Sequence, residues 1–294
     1  MPRCHCLKTL LALLLSTISC CWRFGLSAAN PNGLASTPPL GWRSWNFMKE
    51  DVSQDKILAQ VSALVETRAG RDSLLEVGYS HIGIDDGWQA CGTGFNGSFH
   101  DKEGRPLVNL TRFPDMRAMN TQAHAKGVKM GWYGNNCGCK ESMFDAIGGH
   151  VKQDAQATAD LLFDSIKIDG CGPSQNITLW AEALNATGRP ILLEDCLTKR
   201  YTRQGLPAPV PLEEVFAECP GNFFRLEDDI GPQFYSTMYN LISTYNLMTK
   251  YQSLPSSPAS RPGCWTYSDM LEVGNGLDLA ESRSHFAAFA ITSS

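Results

Sequence analysis

Charge is scarce in this sequence. Asp, Glu, Lys and Arg make up 19% of its 294 residues. The 25 basic and 30 acidic side chains leave a formal net charge of −5, and no basic run occurs. That balance argues against a nucleic-acid partner. Beyond the N-terminus no stretch is long and apolar enough to span a bilayer. No His-Glu-x-x-His motif is present, which removes the helical zinc-hydrolase pattern. Low-complexity segments are absent, and no repeat occurs beyond an alternation of strand-like and helix-like runs. With 43% hydrophobic residues, 26 Gly and 16 Pro, a disordered or collagen-like chain is excluded. The length admits two ordinary domains, or one α/β barrel of about 250 residues.

Cysteine, in contrast, is abundant, with 11 residues. The N-terminus supplies a compartment for them. Arg3 and Lys8 precede an apolar run from Thr9 to Ile18, and small residues follow at Ser27, Ala28 and Ala29. This predicts a cleaved secretory leader over residues 1–29 rather than a membrane anchor, because the apolar run is too short to span. No membrane association is expected after cleavage. Removing the leader leaves 22 basic and 30 acidic side chains, a net charge of −8. Seven cysteines remain: Cys91, Cys137, Cys139, Cys171, Cys196, Cys219 and Cys264. The odd number leaves at least one free or paired outside the chain. Four acceptor sequons, at Asn96, Asn109, Asn176 and Asn185, agree with secretion.

From Pro38 onward the pattern alternates. Strand-like runs fall at Leu40–Trp45, His81–Asp85, Val128–Tyr133, Ser165–Asp169, Ile191–Glu194, Asn222–Arg225 and Cys264–Tyr267. Amphipathic runs include Lys56–Val65, Gln153–Phe163, Phe234–Tyr245 and Leu279–Ile291. Leu254–Pro258 begins a Pro/Ser-rich connection. Such alternation means parallel strands with helical crossovers. A doubly wound sheet would show a Gly-rich phosphate turn after its first strand; Gly41-Trp42-Arg43-Ser44-Trp45-Asn46 is not one. A (β/α)₈ barrel, the TIM barrel, fits better. The expected domain is residues 30–294, with seven visible strands and the eighth missing at the C-terminus.

Active sites in such barrels lie at the C-terminal strand ends. Four candidate strands lead into acids there: Asp85-Asp86, Asp169, Glu227-Asp228-Asp229 and Asp269. One such acid is as readily a helix N-cap, but four converging ends are harder to dismiss. Trp42, Trp45, Trp88, Tyr133 and Trp265 lie on or beside the same ends. Carboxylates accept hydroxyl hydrogen bonds and aromatic faces cover a pyranose, so this set reads as a sugar pocket. Glycoside hydrolysis needs two carboxyl groups. Lys167 lies two residues before Asp169, on the same face of a strand, and a cation there would keep Asp169 ionised. Asp169 is therefore the candidate nucleophile. Asp229 is the candidate acid/base, with Arg225 as a ligand-binding neighbour.

These residues carry a resemblance. The segments Thr37–Asn46, Ile84–Trp88, Ile166–Cys171 and Trp265–Leu271 resemble glycoside hydrolase family 27, the α-galactosidase (melibiase) family. Smaller matches are Arg112–Pro114, Lys126–Tyr133 and Ala183–Arg189, all in family order. The resemblance implies a (β/α)₈ barrel and retaining double displacement on terminal α-linked galactose. It assigns Asp169 as nucleophile and Asp229 as acid/base, over the neighbouring Glu227 and Asp228. It places Asp85 and Asp86 on the O4 and O6 side of galactose, and Trp45, Tyr133, Lys167, Arg225 and Asp269 among the other sugar contacts. No metal or organic cofactor is implied. The expected partner is an α-galactoside, with a homodimer left open. The expected location is secreted, lysosomal or vacuolar. A family disulfide pairs Cys171 with Cys137 or Cys139, and Cys196 with Cys219 would be the next bridge, leaving Cys91 and Cys264 unassigned.

The sequence departs from the family in three places. Gly87 stands where many relatives have Cys. Leu193-Glu194-Asp195-Cys196-Leu197 differs from the usual run after the fifth strand, where the sugar's C2 substituent is selected; Glu194 and Asp195 are the candidates to reach O2. The family's eighth strand and C-terminal β-sandwich are not in the sequence. Three rivals to α-galactosidase therefore stand: an α-N-acetylgalactosaminidase, a β-L-arabinopyranosidase, which Asp85 and Asp86 disfavour, and a non-catalytic sugar-binding protein.

Overall fold

A computed structural model describes residues 30–135, 139, 149–169, 176–196, 212–252 and 260–292. The expected leader, Cys137, Cys171 and the Leu254–Pro258 connection lie outside them.

Seven parallel strands form one sheet in sequence order: β1 (Gly41–Arg43), β2 (His81–Gly83), β3 (Lys129–Gly134), β4 (Ser165–Ile168), β5 (Leu192–Asp195), β6 (Phe223–Arg225) and β7 (Trp265–Tyr267). Their helices are α1 (Trp45–Met48), α2 (Gln54–Val65), α3 (Met116–Ala125), α4 (Val151–Asp160), α5 (Ile177–Ala186), α6 (Leu212–Glu218), α7 (Phe234–Gln252) and α8 (Leu279–Thr292). Consecutive pairing with a helix in each crossover is the barrel pattern, and β1 and β7 are the sheet's edges among the described residues.

Every expected strand forms; β3 and β5 are shifted by one residue toward the C-terminus at full length, and the others are shorter than the runs. Of the helices, α1, α3, α5 and α6 carry no expectation from the sequence, and Trp45, expected at the end of the first strand, instead opens α1. The α3 helix has only Met116, Met119 and Ala123 as its buried apolar positions. It starts at Asp115, whose side chain accepts from Ala118 N at 2.8 Å. Asn176 of the third sequon caps α5 in the same way, accepting from Leu179 N at 3.0 Å.

The strands are buried on both sides. Ile82, Met130, Trp132, Ile166, Ile168 and Leu193 join Ile57, Val61 and Phe163 in one core. The interior of the curled sheet is polar as well as packed. Arg43 leaves β1 and crosses β2 and β3 to reach Glu194 on β5 at 2.6 Å, donating also to Ile84 O (3.0 Å) and Trp132 O (3.2 Å). Gly83 opens that path, and Gly131 lets β3 lie close against Ser165 beside it. A Cβ on Gly83 would lie 2.9 Å from the guanidinium carbon, and one on Gly131 would lie 2.7 Å from Ser165 Oγ.

Two disulfides form among the described residues; one overturns the expected Cys196–Cys219 pairing and the other narrows the expectation for Cys171. Cys219 joins Cys264, with Cα atoms 6.1 Å apart. Each precedes one of the adjacent strands β6 and β7, whose register pairs Phe223 with Trp265. Cys196 cannot take part, since it follows β5 at the opposite end of the sheet; it is free and buried. Cys139 joins Cys91, with Cα atoms 5.2 Å apart, which leaves Cys137 as the expected partner of Cys171, both outside the described residues. Cys91 and Cys139 follow neighbouring strands, β2 and β3, at their C-terminal ends.

Candidate active site

The acids and cations named from sequence converge at the C-terminal strand ends in three linked contacts. The first holds Asp169, just beyond β4. Tyr133 of β3 donates its hydroxyl to Asp169 Oδ2 at 2.6 Å, and Asn135 donates to the same hydroxyl oxygen at 3.2 Å. Burial, with Asp169 beside it, pushes the phenol well above its usual range, so it stays a donor.

The second contact is Lys167 with Asp85, at 2.8 Å. Burial works against the Lys167 ammonium, but Asp85, Cys196 and Asp169 together outweigh it and raise its pKa. The sequence expectation put Lys167 nearest Asp169. The register explains the difference: Lys167 pairs with Tyr133 and Glu194 inside the sheet, whereas Asp169 lies past the strand's end. Lys167 also sits over the Tyr133 ring, 5.6 Å from its centroid. Asp85 is anchored from behind, its N–H donating to Ser44 Oγ at 2.9 Å.

The third contact centres on Arg225 of β6. It reaches Asp229 Oδ1 at 2.5 Å and lies 3.7 Å from Asp269 Oδ2. The two neighbouring acids are placed otherwise. Glu227 is buried and accepts from Ser243 Oγ of α7 at 2.6 Å, while the Asp228 carbonyl accepts from Asn240. The Asp229 side chain is 69% exposed and open to solvent. Asp269 is buried, which pushes its carboxyl up while Arg225 pulls it down. Its oxygens accept from Met270 N (2.8 Å) and Ile230 N (2.9 Å).

Asp86 and Trp45 border this network. The Asp86 carboxylate accepts from Gly87 N and from Gln89 Nε2 (2.7 Å), and burial pushes it up. Trp45 begins α1 and carries Lys49 over its ring at 5.2 Å. Glu194, a candidate for the sugar's O2, is committed elsewhere: Oε2 to Arg43 and Oε1 to the Tyr267 hydroxyl. Beside it, Cys196 lies near Lys167 and Arg225, and burial pushes its thiol up.

Arg43 was within a named motif but had no assigned role. Its signal was an arginine on a strand meant for the interior, which requires a buried acid as partner. Among the described residues no group of three or more His, Cys, Asp or Glu is placed to hold a metal ion.

The arrangement offers one carboxylate tied to a neutral phenol, a second on an exposed turn beside a guanidinium, and hydrogen-bonding charges between them. Residues 37–294 match the family model described as alpha galactosidase A.

The chain belongs to the alpha galactosidase A family.

Its relatives include the alpha-galactosidase of Cyamopsis tetragonoloba, 30% identical over 269 residues, covering 88% of this chain and 58% of the relative. The alpha-N-acetylgalactosaminidase of Gallus gallus is 33% identical over 276 residues, covering 88% and 64%. Among solved structures, alpha-galactosidase I from Mortierella vinacea aligns with a TM-score of 0.68 at 25% identity, covering 88% of this chain and 66% of that one. The chain thus spans less than two thirds of the length of those two curated relatives.

Proposed function

We propose that this protein removes terminal α-linked galactose from oligosaccharides, glycans or galactolipids by retaining double displacement. Asp169 attacks the anomeric carbon as the glycosidic bond breaks, and Asp229 gives its proton to the leaving oxygen. The galactosyl–Asp169 ester is then hydrolysed by water, whose proton returns to Asp229. Each step balances: one C–O bond forms as one breaks, and the proton cycles through Asp229. Tyr133 orients the nucleophile and stabilises its charge. Lys167 and Asp85, held as a pair, present a donor and acceptors to sugar hydroxyls. Exposure of Asp229 lets it exchange protons with water.

The observation that carries this reading is the 2.6 Å bond from Tyr133 to Asp169, set beside the Arg225–Asp229 pair on the same barrel rim. The test is hydrolysis of nitrophenyl α-galactoside beside the corresponding α-N-acetylgalactosaminide. Turnover of the galactoside, lost in Asp169→Asn, supports it. Silence from a folded protein favours the sugar-binding reading.

One observation favours a second substrate. Both Glu194 oxygens are engaged, by Arg43 and by the Tyr267 hydroxyl, so Glu194 is not offered to a 2-hydroxyl, which favours a substrate with N-acetyl at C2. Turnover of the acetamido substrate would establish it. The two disulfides fit an oxidising compartment, so residues 30–294 act as a secreted, lysosomal or vacuolar unit after leader removal.

A further inference from the structure

The sheet's edges, β1 and β7, are joined at both ends by something other than strand pairing. At the N-terminal end the Ala35 carbonyl accepts from Gly263 N (2.7 Å) and Trp265 Nε1 (2.8 Å). At the C-terminal end the join is built around a buried carboxylate, Glu272, on the loop after β7. Glu272 is 1% exposed. Its Oε1 accepts from Asn46 Nδ2 and its Oε2 from Asn275 Nδ2, both at 2.5 Å. Asn275 also donates to the Asn46 carbonyl at 3.3 Å. The Glu272 N–H donates to His285 Nε2 of α8 at 3.2 Å, which fixes the loop on its helix.

The two sides of this join carry different halves of the site. Asn46 lies in α1, between Trp45 and the Met48 N–H that bonds Ser44 O; Ser44 in turn anchors Asp85. Asp85 holds Lys167. Three residues before Glu272 is Asp269, which bonds Ile230 N beside Asp229. Beside the join lies an apolar cleft of about 560 Å³, lined by Trp42, Phe47, Leu271, Phe286 and Phe289, where no strand lies between β1 and β7 among the described residues.

We propose that Glu272 is a positioning residue: its bonds to Asn46 and Asn275 set the separation between the Asp85–Lys167 half of the site and the Arg225–Asp229–Asp269 half. The proposal rests on the hydrolase reading above. Since the nucleophile belongs to the first half and the acid/base to the second, loosening the join misplaces the proton donor relative to the bound sugar. Misplacement of about an ångström lowers rates by about 100-fold.

The test compares Glu272→Ala, Asn46→Ala, the double variant and Glu272→Gln on nitrophenyl α-galactoside and on a galactosyl disaccharide. The first substrate leaves without much protonation; the second does not. In both single variants kcat/KM is expected to fall about 100-fold on the disaccharide but about 10-fold or less on the nitrophenyl substrate, with the loss mainly in kcat. The double variant should match the singles, and Glu272→Gln, which keeps one acceptor, should fall between. Equal losses on both substrates, or additive losses in the double variant, would overturn the proposal, because mere loss of folded protein scales both substrates alike. Hydrogen exchange in residues 44–48 and 269–275 reads the join without activity. Faster exchange in both segments supports it, and unchanged exchange overturns it. If the wild type cleaves neither substrate, the hydrolase reading fails and the exchange result decides the join alone.

Discussion

Replacing Arg43 with Met removes the cation at the centre of the barrel. The side chain is buried, as are its partners Asp85 and Glu194. In the variant Glu194 keeps only the Tyr267 hydroxyl, and Asp85 keeps Lys167 but loses a guanidinium at 3.9 Å. The carbonyls of Ile84 and Trp132 each lose a charged donor. Breaking one side of a buried pair costs about 3–5 kcal/mol, mostly from the charge left behind. A domain of this size has about 5–15 kcal/mol in total, so the variant should be marginal. Adding Glu194→Gln removes the stranded charge while keeping an acceptor for Tyr267. The double variant should recover about half of the loss. Urea unfolding followed by tryptophan fluorescence gives both numbers from the midpoints and slopes. If Arg43→Met lies within about 1 kcal/mol of wild type, the buried charge is not held by Arg43. If the double variant loses the sum of the singles, the two residues do not act as a pair.

Tyr133→Phe should lower kcat by about 10- to 100-fold on nitrophenyl α-galactoside, the worth of a hydrogen bond to a charged group, with little change in melting temperature. Lys167→Arg should fail to restore the sugar affinity lost in Lys167→Met, because a planar fork does not fit the single oxygen of Asp85; calorimetric galactose binding checks this. His81 and His285 are both held below the usual 6.5 by burial. The unfolded chain therefore takes up protons that the folded chain refuses. Their contribution is complete above pH 6.5 and is lost as pH falls toward the folded values, so His285→Gln should flatten the decline in urea midpoint below pH 6.5. Removing the Cys219–Cys264 bridge, which closes 45 residues, should cost about 4 kcal/mol by loop entropy, read from unfolding of the double Ser variant.

Sequence made the strands legible because each is a short run with an apolar centre, and all but Asn222–Arg225 end in an acid or an aromatic residue. Helices with a broad apolar stripe, such as α2, were equally visible. The α3 helix was not, since its stripe is thin and its start rests on one Asp cap. The site's members were visible too, but not their partners. Lys167 was paired in sequence with Asp169, two residues away, whereas the folded chain gives it Asp85, which is 82 residues away. Arg43 and Glu194, 151 residues apart, meet because Gly83 clears the path of the guanidinium between their strands. The disulfides show the same limit. Which cysteines share an end of the sheet is a property of topology, and spacing alone does not determine it.

The central claim is that Asp169 is the nucleophile of a retaining galactosidase. Its most direct test is to trap the intermediate with a fluorinated galactosyl fluoride that forms the ester quickly and hydrolyses slowly, then locate the added mass by peptide mass spectrometry. The account predicts one sugar per chain, on the peptide containing Asp169, and no labelling in Asp169→Asn. A label on another carboxylate, or turnover with no covalent species in a folded and active protein, would contradict it.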